Sequence, residues 1–154
     1  MKKFFIALLF VLLCVTASNA AQKWKNYFNE RFEYLIEYPD LFSEIREPDN
    51  GDGVWLESKD GKYKLTLSGA NNIFMEDGHE FLASLKLEKN IIKKESGSTW
   101  FRVVYREKNK IIHYYGIINE ELCCSFTFEY PDEKNGKNFD SEIKRMEKSL
   151  KLKS

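Results

Sequence analysis

This sequence is poor in the residues that mark catalytic and metal sites, and it has no excess of charge of either sign. Its 154 residues include 2 histidines and 3 cysteines, and 24 basic residues balance 24 acidic ones. Without a positive net charge, the chain lacks the long-range attraction that draws basic proteins to nucleic acids and anionic lipids. We therefore expect no nucleic-acid partner.

Motifs for covalent or metal-assisted catalysis are absent as well. No GxSxG, HExxH or phosphate-binding GxxxxGK[ST] segment occurs in the sequence. His79 and His113 lie in separate segments, without further ligands at the spacing of a zinc site. His113 shares the inward face of an expected strand with Ile111 and Tyr115, which favours a packed histidine. We expect no metal and no cofactor, and we assign no catalytic residue.

Long apolar runs are limited to the N-terminus. Lys2 and Lys3 precede an unbroken apolar run from Phe4 to Val15, and small residues follow at Ser18 and Ala20. This order of a basic start, an apolar run and small residues is typical of a secretory signal. The apolar run is too short to span a bilayer as a lasting helix.

The chain is therefore expected to consist of a leader and one domain. We predict a signal peptide at 1–20, cleaved after Ala20 or alternatively after Ala17, and a single domain at 21–154. No later segment is apolar and long enough to cross a membrane, so we expect no stable membrane insertion after signal removal. The protein is expected to be exported, either periplasmic or secreted, and soluble after cleavage.

Cysteine usage does not indicate a framework of distant disulfides. Cys14 lies within the apolar run, but Leu13 is not the small residue that lipoprotein processing requires, so lipidation is the less favoured alternative. Cys123 and Cys124 are adjacent in an expected strand, where neighbouring side chains point to opposite faces. We expect Cys124 to be buried and Cys123 to be a semi-exposed thiol. A strained vicinal disulfide and a metal or redox role are the alternatives.

Alternation of apolar and polar residues predicts an antiparallel sheet. Phe32, Tyr34, Ile36 and Tyr38 share one face of a strand that Pro39 ends. Further along the chain, an Asp-Gly pair between two strand-like runs indicates a hairpin, and a meander follows. The expected strands are Phe32–Tyr38, Val54–Ser58, Tyr63–Ser68, Ile91–Glu95, Trp100–Glu107, Lys110–Asn119 and Leu122–Tyr130.

Two segments place apolar residues at helical spacing. The first, Glu76–Leu87, would bury Phe81, Leu82 and Leu85, and Met75 is a further candidate for the same face. Together with the strands, the two segments predict an α+β fold with a single antiparallel β-sheet and helices packed on its faces.

The second helical segment is Asp140–Leu152. Ile143, Met146 and Leu150 lie on its core face, and Asp140 is the expected N-cap. Glu147 falls on the outer face, where replacement by alanine should change little.

The stretch EPDNGDGVWLESKDGK at 47–62 mixes acidic residues with glycines. An EF-hand loop with Gly53 at its sixth position would have Pro48 at the first position and Lys59 at the twelfth, so two ligands fail. We interpret this stretch as turns. A looser calcium site at Asp49 and Asp52 is the alternative.

Aromatic residues are abundant, and four of them are candidates for a ligand-binding face. Core packing is nevertheless the favoured interpretation in a sheet protein of this composition. The four residues are Trp55, Trp100, Tyr114 and Tyr115.

Several segments in order resemble the PsbP/Mog1-like family of small proteins. The resemblance covers about residues 25 to 152, and it implies an antiparallel sheet with helices on its faces and an accessory or binding role. The sequence departs from the family pattern at Val54-Trp55-Leu56 and at the cysteine pair. The resemblance implies no catalytic residues. The segments that carry it are Asn29–Pro39, Asn50-Gly51-Asp52-Gly53, Asp60-Gly61, Trp100-Phe101 and Ile143–Leu150.

Two classes of function remain open. The favoured hypothesis is a non-enzymatic, exported binding or accessory protein, for which a protein partner is possible and unidentified. The first alternative is an envelope hydrolase, which would need His79 or His113 beside a serine or cysteine and a carboxylate. An immunity protein or inhibitor of a secreted toxin is a further form of the binding protein.

Overall fold

A computed structural model describes residues 22–87, 90–133 and 136–153. The expected signal peptide, its cleavage sites and Cys14 lie outside these residues. Across the described ranges, no helix has both the length and the apolar character needed to cross a membrane.

Ten strands and two helices make up an α+β fold in the described part of the chain. In chain order they are β1 (Trp24–Asn29), β2 (Tyr34–Pro39), β3 (Glu44–Arg46), β4 (Gly53–Glu57), β5 (Lys64–Asn71), α1 (Gly78–Ser84), β6 (Asn90–Gly97), β7 (Trp100–Glu107), β8 (Lys110–Ile118), β9 (Leu122–Pro131), α2 (Asp140–Ser149) and β10 (Lys151–Leu152).

The strands form two sheets, so the expectation of a single sheet is wrong. The smaller sheet has the order β1-β2-β10 and the larger one the order β3-β4-β5-β9-β8-β7-β6. All neighbouring strands are antiparallel. Alternation shows which face of a strand is buried but not which strands hydrogen-bond to it. The partners of β2 are β1 and the late strand β10, and the sequence pattern had predicted neither.

The small sheet and α2 form one layer that covers one face of the large sheet. Tyr34 and Ile36 of β2 pack with Met146 of α2 against Phe126 and Phe128 of β9, and all five are fully buried. Burial of each such side chain is worth roughly 1.5–3 kcal/mol relative to exposure, so this layer contains the main core. The inward face predicted for residues 32–38 is confirmed.

The opposite face of the large sheet carries α1 and a second, smaller cluster. Leu82 of α1 is buried there against Phe101 and Val103 of β7, with Tyr114 and Cys123 at the edge. Strand β8 is therefore covered on both faces, which agrees with its mostly apolar sequence. The Asp-Gly hairpin between β4 and β5 and the β6–β9 meander are confirmed too.

Helix α1 is shorter than the expected segment Glu76–Leu87. Asp77 is the N-cap, and together with Glu80 it forms a capping box. At the other end Leu85 has ψ 107°, which is extended, so the helix stops at Ser84. Gly78 lets the helix approach the β6–β7 hairpin, since a Cβ there would lie 2.3 Å from the Gly97 carbonyl oxygen.

Helix α2 begins where the sequence predicts but is capped differently and ends earlier. The N-cap position belongs to Phe139, whose side chain makes no capping hydrogen bond, so the assignment of Asp140 as N-cap is wrong. Asp140 lies in the first turn, where its charge suits the helix dipole. The helix ends at Ser149, because Lys151 and Leu152 turn into strand β10 and pair with β2.

Candidate functional site

A polar cluster beneath α2 joins residues from two strands and the helix. Arg102 donates from Nε to Oε1 of Glu147 at 2.7 Å and from Nη2 to Oε2 at 2.5 Å. His113 Nε2 lies 2.9 Å from the same Oε1, and Arg102 Nη1 donates to Glu95 at 2.7 Å. Glu147 is thus held inside the molecule, and its assignment to an outer, tolerant face is wrong.

The environment keeps Glu147 ionised. Burial works to raise the pKa of this carboxyl, but the hydrogen bonds from His113 and Arg102 outweigh burial, and the net effect lowers the pKa below its usual range. A buried carboxylate is stable only when such partners compensate its lost hydration. The polar groups of the cluster satisfy one another, which is the arrangement of a structural ion pair.

His113 is packed as the sequence predicts. Its ring stacks on Phe126 at an interplanar angle of 11° and a centroid distance of 5.9 Å. An adjoining cleft of about 350 Å³ is lined by Ile92, Val104, Ile111 and other residues. Among the described residues, no serine or cysteine hydrogen-bonds to this histidine, so the chain of groups needed for nucleophilic catalysis is not assembled there.

His79 lies on the surface at the start of α1. Its Nδ1 is 2.9 Å from Oγ of Ser96. The neighbouring carboxylate of Asp77 accepts the backbone N–H groups of His79 and Glu80, both at 2.9 Å, so it caps the helix. Asp77 therefore does not orient the His79 imidazole, and in the described ranges no other carboxylate hydrogen-bonds to this ring.

The adjacent cysteines point to opposite faces, as predicted. Cys124 is fully buried in the main core, Cys123 is partly buried beside α1, and both are free thiols. Burial raises the pKa of Cys123 to about 11 and that of Cys124 to about 12. Because thiolates are the reactive form, neither side chain has the character of a redox or metal-binding cysteine.

The NGDG segment forms a turn that a side chain fastens to the small sheet. Arg31 Nη1 donates to Oδ1 of Asp52 at 2.6 Å and also to the backbone carbonyl of Asn50. Asn50 donates to the other oxygen of Asp52 at 2.5 Å. Gly51 has φ 67°, in the left-handed region that favours glycine. Both carboxylate oxygens of Asp52 thus serve the turn itself.

Three of the four candidate aromatic residues pack inside or along the sheet, and Trp55 does not. Trp100 stacks on Tyr115 at 6.3 Å between centroids, with Arg102 beside both rings, and Tyr114 joins the cluster under α1. Trp55 is 52% exposed, so the interpretation as core is wrong for this residue. Its neighbours in β4 occupy the inward face, and strand alternation forces Trp55 outward.

Trp55 stands on a half of the large sheet that α1 leaves uncovered. Helix α1 packs over β6 and β7, whereas the same face of β4, β5 and β9 carries partly exposed polar side chains. In register with Trp55 across these strands lie Thr66 and Thr127. We call this surface the open face; its residues are Trp55, Thr66, Ser68, Thr127 and Glu129.

A turn of three large apolar residues borders the open face. Ile73, Phe74 and Met75 are 75%, 78% and 70% exposed, and they connect β5 to α1. Ile73 and Phe74 line a groove of about 410 Å³ together with Ser68 of the open face. We call residues 73–75 the apolar turn. The expectation that Met75 joins the core face of a helix is wrong, because Met75 precedes the N-cap and points to solvent.

The apolar turn is held by a buried asparagine. Nδ2 of Asn72 donates to the carbonyl oxygens of Glu76 at 2.8 Å and Asn119 at 2.7 Å, and Oδ1 accepts the Glu76 N–H at 3.1 Å. The Asn72 N–H donates to the Glu121 carbonyl oxygen at 2.7 Å. These bonds close the turn between Asn72 and Glu76 and fasten Asn72 to the β8–β9 connection.

An acidic concavity adjoins the apolar turn on the other side. It has a volume of about 710 Å³, and Met75 forms part of its wall. Its titratable lining in the described chain is wholly acidic, without a lysine, arginine or histidine. We call this surface the acidic concavity; its carboxylates are Glu76, Asp77, Glu120 and Glu121. Nothing in the local sequence indicates that Glu120 and Glu121 lie beside Met75, because the two segments are distant along the chain.

The two-sheet sandwich with α1 and α2 on opposite faces of the large sheet defines a PsbP-like fold. The chain is similar to the solution structure of cyanobacterial PsbP (CyanoP) from Synechocystis sp. PCC 6803, with a TM-score of 0.62 and 10% identity over 92% of this chain and 99% of that chain. The resemblance seen in the sequence is confirmed at the level of the fold.

A second solved structure, of a protein from Bacteroides thetaiotaomicron, is also similar. Its TM-score is 0.52 at 12% identity, over 84% of this chain and 48% of that chain, so the likeness covers about half of the longer protein. No protein-family model and no curated protein matches the sequence.

Proposed function

We propose that this protein is an exported, non-enzymatic accessory protein that binds a protein partner through the open face. The observation that carries the proposal is the half-exposed Trp55 on a sheet surface that no helix of the described chain covers. Tryptophan is the residue type most enriched among side chains that dominate binding energy at interfaces. The accessory role that the PsbP/Mog1-like resemblance implies supports the same function.

Export and domain organisation belong to the same proposal. The basic start, apolar run and small residues at 1–20 support a cleaved signal, and 21–154 would then be the mature single domain. Cell fractionation combined with N-terminal sequencing of the mature protein tests this step. Recovery of an uncleaved chain in the cytoplasm would contradict it.

The alternative of an envelope hydrolase has less support. In the described residues, His113 is bound to Glu147 and stacked on Phe126, while His79 meets Ser96 without a carboxylate to orient its ring. Neither arrangement supplies a nucleophile, a base and an orienting acid together. An immunity protein or toxin inhibitor remains one specific form of the proposed binding function.

The open face is tested by affinity purification of the tagged full chain from the envelope of the producing cell. Trp55→Ser should reduce recovery of a specific partner at least tenfold. Ile45→Ser is the matched control, because Ile45 is similarly exposed but points from β3 toward the opposite face of the sheet. Equal recovery by both variants, or absence of any specific partner, would contradict the proposal.

A further inference from the structure

The apolar turn has the properties of a preformed binding element. Three consecutive large apolar side chains face solvent, which is costly unless another surface covers them. The Asn72 hydrogen bonds fix the turn at both ends, and the Met75 N–H closes it by donating to the Asn72 carbonyl oxygen at 3.1 Å. A fixed turn loses little conformational entropy on binding, which favours affinity.

Backbone strain at Met75 also supports a binding role for the apolar turn. Its φ of 52° lies in the left-handed region, which glycine or asparagine would occupy at lower cost. Strain of this kind persists only where the surrounding structure over-determines the backbone, and it clusters at functional sites. A thioether adapts its shape to a partner surface, and methionine is enriched at protein interfaces.

The negative charge beside the apolar turn indicates that a binding partner should carry positive charge. Four carboxylates line the acidic concavity, and the one belonging to Asp77 caps α1. In the described chain, Glu76, Glu120 and Glu121 form no ion pair with a basic residue. A partner that covers the apolar turn must approach these charges, and lysine or arginine at that position would complement them.

We propose that the apolar turn and the acidic concavity together bind a protein segment in which large apolar residues are flanked by lysine or arginine. The proposal rests on the partner-binding function proposed above and names the chemistry of the partner. Phe74 and Met75 insert into an apolar depression of the partner, and the carboxylates face its basic rim. The acidic rim disfavours an anionic membrane surface as the occupant, because like charges would be brought together and dehydrated.

Site-specific photo-crosslinking in the producing cell tests the proposal. The photoreactive analogue p-benzoylphenylalanine replaces Phe74 in the full chain, and the same substitution at Trp55 and Ile45 provides the open-face probe and the control. Position 74 should crosslink to a protein, and mass spectrometry should map the link to an apolar segment bordered by lysine or arginine. Adding Glu76→Gln and Glu121→Gln should reduce the crosslink at least fivefold, with an unchanged melting temperature.

Each other outcome overturns the inference in a recognisable way. A crosslink to lipid would identify a membrane contact, and a crosslink to a second copy of this chain would identify self-association. A mapped segment without basic residues, or no loss of crosslinking in the glutamine variant, would remove the charge argument. Crosslinking at 55 but not at 74 would overturn this inference and leave the proposed function intact. Crosslinking at neither position would contradict both.

Discussion

Arg102 binds both carboxylate oxygens of Glu147 through two hydrogen bonds of 2.7 and 2.5 Å, linking β7 to α2 across the edge of the main core. Bidentate pairs of this kind are among the stronger polar contacts in proteins. Glu147→Ala should therefore cost about 2–4 kcal/mol of unfolding free energy, because it leaves Arg102 and His113 without their shared acceptor. Denaturant unfolding at neutral pH measures the loss. Glu120→Ala, in the exposed β8–β9 turn, is the control and should change little.

The ion pair of Arg102 and Glu147 predicts that the stability of the folded protein depends on pH. Because the folded protein lowers the pKa of Glu147, the folded state binds fewer protons than the unfolded state in the acidic range. The stability that this group contributes is complete above its ordinary value of 4.5 and is lost as pH falls through the lower folded value. Glu147→Gln should flatten that part of the stability–pH curve. If Glu147→Gln and the wild type lose stability identically at acidic pH, the attribution of this pH dependence to Glu147 would be wrong.

The core face of α2 predicts which substitutions unfold the protein. Ile143→Asp and Met146→Asp each bury a charge, which should cost at least about 3 kcal/mol and leave the domain largely unfolded at 37 °C. Lys144→Ala, one residue along on the exposed side of the helix, should leave the melting temperature nearly unchanged. Circular dichroism melts of the three variants provide the test. Similar melting of all three would mean that the helix phase is wrong.

The hairpin between β4 and β5 depends on glycine at position 61. Gly61 has φ 68°, where a side chain costs about 1–2 kcal/mol and a β-branched one more. Gly61→Val should destabilise the protein, whereas Gly61→Asn should be tolerated because asparagine enters this region more readily. A melting temperature of Gly61→Val that equals or exceeds that of Gly61→Asn would contradict this account.

Calcium should not be required by the NGDG turn, since both carboxylate oxygens of Asp52 already serve Arg31 and Asn50. An ion bound only by the folded state at a hundredfold excess over its Kd would add about 2.7 kcal/mol, or several degrees of melting temperature. We expect no such rise in millimolar calcium, and only a small cost for Asp49→Ala combined with Asp52→Ala. A calcium-dependent rise that the double variant abolishes would establish a site.

The apolar turn predicts opposite effects for two neighbouring residues. Met75→Gly relieves a left-handed backbone and exposes less apolar surface, so stability should stay the same or rise by up to about 1 kcal/mol. Asn72→Ala leaves several backbone groups without their partners and should cost about 2–3 kcal/mol. Chemical denaturation compares the two variants. A large loss of stability in Met75→Gly would show that the methionine serves the fold itself.

Local patterns predicted the parts of the fold that depend on neighbouring residues. Alternation placed Tyr34 and Ile36 on a buried face and Cys124 opposite Cys123, because each assignment needs only the period of a strand. Strand pairing was not predicted in the same way. The third strand of the second sheet comes from residues 151–152, which pair with β2 from a distant part of the sequence, and no short segment encodes that contact.

The candidate surface was missed for a related reason. Trp55 sits between two apolar neighbours, so its side of the strand is ambiguous in the sequence and is decided by the core that Val54 and Leu56 join. The exposure of Met75 did have a local signal. Asp77 and Glu80 have the spacing of a capping box, which places the preceding residues outside the helix. What the sequence cannot show is that Asn72 fastens this turn to the β8–β9 connection.

The pairing of β10 with β2 has a consequence for the order of folding. Lys153 donates its N–H to the Glu33 carbonyl oxygen at 2.7 Å, and the Ser149 hydroxyl accepts the N–H of Glu37, 112 residues earlier in the chain. Contacts between such distant segments form late, because a long loop must close before they contribute. The β1–β2 hairpin is therefore expected to form before it gains its third strand. Until α2 and β10 have docked, Tyr34 and Ile36 of β2 lack Met146, one of the side chains that bury them in the folded domain.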